Sequence, residues 1–175
     1  YCATRLREGL AVVDLPRAWE RVRYERYLGM LGNETSATQR LLFAETVPLS
    51  AAEACIAREI AGDLEAVGFD FRIGEESMTV TGIPADLPDV GVGQAVREML
   101  SEFRESERLS PDDRIRRTAA VMARCGAMPS RDAMDAEAAR ELLREWLRCE
   151  GFNYTPDGRP VMTVLTVEEL AKRLK

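Results

Sequence analysis

The sequence predicts an α/β (α+β) protein of two lobes, one built around a mixed sheet and the other a smaller α/β lobe inserted into it. Three observations point there. Apolar positions switch repeatedly between strand-like and helix-like spacing. Strand-like runs stand near both ends, while the middle carries a hairpin and helices of its own. Cap and turn residues mark most of the switches. With 175 residues, 46% apolar and 31% charged, the chain is long enough for one domain or two small lobes. The expected division joins 1–49 and 112–175 into a discontinuous lobe and leaves 50–111 as the insert.

In order, residues 1–14 read as two short strands about a turn at Glu8-Gly9. The second, Leu10–Asp14, is almost continuously apolar, as in a strand buried on both faces. Pro16 fits the first turn of a helix running to about Gly29, because a missing N–H costs nothing there. That helix carries apolar side chains on two sides, Trp19 and Val22 on one and Tyr24, Tyr27, Leu28 and Leu31 on another. A polar loop, Gly32–Thr38, precedes a strand over Leu41–Leu49. Ser50 and Glu53 form a capping box for a helix with Ile56, Ile60, Leu64 and Val67 on one face, stopped by Gly68.

Phe69–Ile73 and Met78–Ile83 predict a hairpin closed by Gly74-Glu75-Glu76. The Pro/Asp/Gly-rich stretch Pro84–Gly93 is a loop, followed by a helix burying Val92, Val96, Met99, Leu100 and Phe103. Ser110-Pro111-Asp112-Asp113 caps the next helix, which buries Ile115, Ala119 and Met122 and is ended by Pro129. Asp135–Cys149 carries the stripe Ala139, Leu142, Leu143, Trp146 and Leu147. A Pro156-Asp157-Gly158 turn, a strand over Val161–Leu165 and a helix capped by Thr166 and Glu169 complete the chain.

Composition removes several kinds of chemistry. The chain has no histidine, which excludes Ser-His-Asp and Cys-His triads and His-based acid-base catalysis or zinc binding. A net charge of −6 opposes a phosphate backbone, so DNA is expected to be contacted weakly or only through a longer protein. The four cysteines form no C-x-x-C pair and read as free thiols of a reducing, cytoplasmic setting. No apolar run approaches the ~18 residues of a membrane span. The first residue is Tyr1 and no signal-peptide pattern follows, so the chain is expected to be a piece of something longer.

Three segments together carry a family resemblance. Gly9–Glu20, continued to Glu25, is similar to the strand-to-helix segment of the C-terminal dimerisation domains of bacterial MutL mismatch-repair proteins, where the family has D-Q-H-A-x-x-E-x-x-x-x-E. Gln39–Leu49 resembles a second family segment, and Asn153–Pro160 resembles its C-P-H-G-R-P stretch. The order and the intervening pattern agree along nearly the whole chain. In nuclease-competent members these segments converge on a divalent metal that activates water and neutralises developing charge beside DNA. Here Asp14, Glu20 and Glu25 stand at the acidic positions, but Leu15 and Pro16 replace the Gln and His. Thr155 stands for the Cys, Asp157 for the His, and Arg124 where an A-C-R motif has its thiolate. A guanidinium is always charged and only donates, so it repels a metal. Glu20 and Glu25 also diverge by about 140° around their helix. An ordinary surface pair of Glu25 with Arg21 is the plainer reading of one of these acids.

The resemblance therefore implies a homodimerisation and protein-docking domain with a degenerate nuclease site, no cofactor and no catalysis of its own. It implies pairing of two chains in the cytoplasm, action with mismatch-repair partners such as MutS, and an ATPase region elsewhere in the polypeptide. The alternative is a metal-dependent, DNA-nicking endonuclease using Asp14, Glu20, Glu25 and Asp157 with manganese or magnesium.

Other features have two readings each. Gln39-Arg-Leu-Leu-Phe-Ala44 resembles the Q-x-x-[LI]-x-P peptide that docks on a replication sliding clamp, with Gln39, Leu42 and Phe43 as contacts and Ala44 at the proline position; equally, it begins a buried strand. Trp19, Tyr27 and Leu28 are candidate dimer contacts or core, whereas Trp146 reads as core. Asp157-Gly158 with Arg159 is a turn whose carboxylate or guanidinium does work, or simple turn chemistry. Arg114, Arg116, Arg117 and Arg124 stand near Glu102, Glu105, Glu107, Asp112 and Asp113, which favours a mixed-charge face over a phosphate-binding one.

Overall fold

A computed structural model describes residues 1–32, 37–85, 87, 91–104, 110–125 and 134–174. The Pro129 helix stop, Glu105, Glu107 and the interior of two expected loops lie outside the described residues. The chain divides into two compact units, residues 1–23 with 128–175 and residues 24–127. These points differ from the boundaries at 49/50 and 111/112, because the strand over Thr38–Pro48 finds its partner in the central hairpin and the helix over Pro111–Cys125 packs beside the one before it.

In the terminal unit, β1 (Cys2–Leu6), β2 (Gly9–Val13) and β6 (Met162–Thr166) form a sheet in the order β1-β2-β6. Both pairings are antiparallel, as they are in the second sheet, so the expected mixed sheet is corrected. A two-residue turn between β1 and β2 permits only antiparallel pairing, and no crossover sets β6 parallel to β2. β2 alternates rather than burying both faces: Gly9, Ala11 and Val13 are buried while Leu10 and Val12 stay half-exposed. Val13 packs with Ala18 and Val22 of α1 (Leu15–Gly32), Leu142 and Trp146 of α6 (Ala136–Trp146), and Val161. Asp135 caps α6 by accepting from the N–H groups of Glu137 and Ala138. The helix ends at Trp146, so Leu147 falls outside the stripe and is exposed. The Trp146 indole instead donates to the Phe152 carbonyl at 2.7 Å, with the two rings edge to face. A short last helix, α7 (Val167–Arg173), is capped reciprocally by Thr166 and Glu169.

The central unit holds β3 (Thr38–Pro48), β4 (Asp70–Ile73) and β5 (Ser77–Pro84) in the order β3-β5-β4. Around it stand α2 (Ala51–Glu59), α3 (Ala61–Ala66), α4 (Val92–Arg104) and α5 (Pro111–Cys125). The Ser50–Glu53 capping box is present. The single helix expected up to Gly68 is broken at Ile60, next to Ala61-Gly62, where the absent side chain lowers helix preference. Of its apolar stripe, Ile60, Leu64 and Val67 are buried in the core, whereas Ile56 is only half-buried against it and Ala57 takes the buried place beside it. Met78 and Val80 of β5, Val96, Met99 and Leu100 of α4, and Met122 of α5 fill the rest. Ile115 is only half-buried.

Candidate functional site

The three acids of the terminal unit that the resemblance singles out, Asp14, Glu20 and Asp157, are each engaged by a guanidinium. Asp14 precedes α1 and caps it: Oδ1 accepts from the Arg17 backbone N–H at 3.2 Å, and its own N–H donates to the Val161 carbonyl at 2.9 Å. Pro16 sits in the first turn, where no hydrogen bond is lost. The Arg17 side chain reaches Asp14 Oδ2 at 3.5 Å and donates to the Pro160 carbonyl at 2.7 Å, tying the start of α1 to the segment before β6.

That segment is folded tightly on itself. The Thr155 N–H donates to the Arg159 carbonyl at 2.9 Å, the Gly158 N–H to the Thr155 carbonyl at 2.9 Å, and the Arg159 N–H to Thr155 Oγ1 at 3.0 Å. Gly158 takes φ +83°, a conformation that side chains resist. The buried Thr155 hydroxyl, in the Cys position of the resemblance, donates to Asp157 Oδ1. From this platform Arg159 reaches outward, Nε to Asp157 Oδ2 at 2.8 Å and Nη2 to Glu20 Oε2 at 2.9 Å. The Thr155 hydroxyl first, and the Arg159 guanidinium after it, hold the Asp157 carboxyl below the usual range. Asp157 in turn, with Glu20 and more distantly Asp14, raises the Arg159 guanidinium above its ordinary value.

Asp14, Glu20 and Asp157 therefore surround two fixed cations, Arg17 and Arg159. As a donor set for a divalent ion this fits poorly, since an entering metal would meet the repulsion of both guanidiniums and have to displace their hydrogen bonds. Among the described residues, no three His, Cys, Asp or Glu side chains gather closely enough to hold a metal.

Glu25 and Arg124 belong to the central unit. Glu25 is half-buried on α1. Arg124 pairs with Glu102 Oε1 at 3.0 Å, Arg117 meets the same carboxylate at 3.5 Å, and the Cys125 thiol donates to Glu98 Oε2 at 3.3 Å. Arg114 is bound to Asp63 at 2.6 Å, and that bond, more than any other influence, raises its guanidinium pKa. Three of the four arginines of this region are thus occupied by neighbouring acids, as a mixed-charge face requires.

The Gln39–Ala44 segment lies in β3, opposite β5. Arg40 pairs with Gly82 and Glu45 with Val80, so four residues oppose one and the strand bulges. The bulge turns Leu41 toward the core and leaves Leu42 and Phe43 89% and 82% exposed. Gln39 is exposed as well. The buried-strand reading therefore holds for Leu41 alone. Of the candidate dimer contacts, Tyr27 is fully buried and Leu28 packs against the same core, so Tyr27 has no surface to offer a second copy. Trp19 is half-exposed beside the terminal core, with Arg23 6.0 Å over its ring. Trp146 is buried.

Reasoning from sequence missed the role of Arg17 and, for Arg159, the partner its guanidinium finds in Glu20. Their local partners, three residues from Asp14 and two from Asp157, were visible as short charge spacings. The Glu20–Arg159 contact spans 139 residues and left no signal in the sequence.

Comparison with known proteins agrees with the resemblance. Residues 1–134 match the family described as the MutL C terminal dimerisation domain. DNA mismatch repair protein MutL of Parabacteroides distasonis is 29% identical over 176 residues, covering 100% of this chain and 29% of that protein. The Bacteroides fragilis protein of that name is 31% identical, covering 98% of this chain and 28% of its own length. The one from Symbiobacterium thermophilum is 33% identical over 100% of this chain and 28% of its own length. The chain thus spans less than a third of the relatives it matches.

Proposed function

Because this chain belongs to the MutL C-terminal dimerisation domain family, we propose that it is the joint holding two copies of a DNA mismatch-repair protein together, and that it does not cut DNA itself. The observation that carries the second half is the Asp157–Arg159–Glu20 bridge. It fills with a protein cation the place where a nuclease needs a metal. The donor set around it lacks imidazole altogether, and Thr155 cannot supply a thiolate. In this reading the terminal unit forms the two-fold joint, with Trp19 among its contacts, and the central unit regulates. A permanent joint makes any further association between the two polypeptides intramolecular, raising effective concentration without new contacts. Cytoplasmic location and action with a MutS-type partner belong to the same proposal; among the described residues no helix is long and apolar enough to cross a membrane.

The test combines two measurements on purified protein. Mass in solution at micromolar concentration should be twice that of the chain, and supercoiled plasmid should remain intact with added manganese. Nicking that is lost in a Glu20→Gln variant would restore the endonuclease reading.

A second function is supported by a separate observation, the exposure of Leu42 and Phe43 on the β3 bulge. Exposed Gln39 precedes them, so the segment offers an amide and two apolar side chains to a groove such as that of a replication sliding clamp. Gln39→Ala and Phe43→Ala should each weaken clamp binding by roughly tenfold or more while leaving the dimer intact. Unchanged affinity in both would remove this function.

A further inference from the structure

Four strands end the two sheets, and three of them carry protection against pairing with another chain. β1 has Arg5, β4 has Asp70 and Arg72, and β3 has Arg40, Glu45, a bulge and Pro48. β6, Met162-Thr-Val-Leu-Thr166, has no charge and no proline. Among the described residues it pairs with β2 only. Natural sheets blunt exposed edges with charges, prolines and bulges, because a bare edge presents unpaired N–H and C=O groups to any passing strand. A bare, β-branched edge is tolerated when something covers it.

The burial of apolar side chains points to the same unit. Among the described residues, the central core gathers 24 buried side chains and the terminal core eight. Yet seven of the nine large exposed apolar side chains lie in the terminal unit. Two of them are at this edge: Val164 in β6 is 36% exposed, and Val167, one residue beyond the strand, is 62% exposed. Leu165, on the opposite face of β6, is half-exposed.

We propose that a second copy of this chain joins along the open edge of β6, pairing antiparallel with its own counterpart. The proposal rests on the homodimer reading above and names the surface. A two-fold axis brings one patch against itself, and an antiparallel pair of identical strands satisfies that condition with backbone hydrogen bonds alone. The pairing would run two three-stranded sheets into one and set the exposed Val164 of each copy among cross-strand neighbours on one face of the joined sheet.

The experiment is sedimentation equilibrium of the whole chain, comparing wild type with Val164→Glu, Thr163→Lys and the control Leu42→Glu. Val164 and Thr163 are exposed, so a charge there spares the fold, which circular dichroism checks. Both β6 variants should raise the dimer dissociation constant by about 100-fold or more, and the control should leave it unchanged. Wild-type hydrogen exchange provides a measure that needs no variant: the amides of Met162–Thr166 that do not already bond β2 should gain protection as protein concentration rises through the dissociation constant. A wild type that stays monomeric would overturn the homodimer reading and this proposal with it. A wild-type dimer in which folded β6 variants associate normally, or in which those amides gain no protection, would overturn the β6 assignment alone.

Discussion

Arg159 and Glu20 contribute unequally to the bridge they form. The guanidinium side chain is 47% exposed and the carboxylate only 12%, so solvent screens one end of the pair and little of the other. Arg159→Gln should accordingly cost about 1 kcal/mol in urea unfolding, more than a fully exposed pair would and less than a buried one. Asp157 adds a dependence on pH. Its folded-state pKa is depressed, chiefly by the Thr155 hydroxyl, so its stabilising effect is complete above the unfolded-state pKa of about 4 and fades as pH falls through the folded value. The stability difference between wild type and Asp157→Asn should thus be constant near neutrality and shrink on acidification. A difference that grows in acid would reverse the sign of the shift.

At the scale of elements, Gly9 is the most constrained position in the terminal sheet. It has φ +155°, and a Cβ there would lie 2.0 Å from the Leu165 carbonyl oxygen, inside the strand pairing itself. Gly9→Ala should cost about 3 kcal/mol or more and loosen β6, whereas Ser50→Ala, which removes one side of a surface capping box, should cost about 1 kcal/mol. Both are read from denaturant midpoints. Local chemistry of this kind was legible in the sequence: the Ser50 and Thr166 boxes, the Asp135 cap, the Gly68 stop and the central hairpin depend on residues a few positions apart. The direction and partner of strands were not. β3 reads as a strand from its own residues, but its membership of the central sheet depends on β5, some forty positions on, and nothing in Leu41–Ala44 announces a bulge. The candidate site divides the same way. Asp14, Glu20 and Asp157 were visible through resemblance, while the cation that joins two of them is a product of tertiary folding.

For the whole molecule, the proposed pairing along β6 would make the stability of the terminal unit, with its small core and exposed valines, depend on a second copy. Anything that binds the native state alone raises the apparent melting temperature by mass action. Unfolding of the wild type should therefore shift upward with protein concentration, and the shift should vanish in Val164→Glu. The proposed division of roles has the terminal unit joining two copies while Arg17 and Arg159 occupy the carboxylates of Asp14, Glu20 and Asp157. Direct titration with manganese, followed by the paramagnetic resonance of the free ion, tests that most directly. The account predicts that the wild-type chain leaves essentially all manganese free at concentrations where a metal nuclease would be loaded. Tight, stoichiometric uptake that disappears in a Glu20→Gln, Asp157→Asn double variant would contradict it.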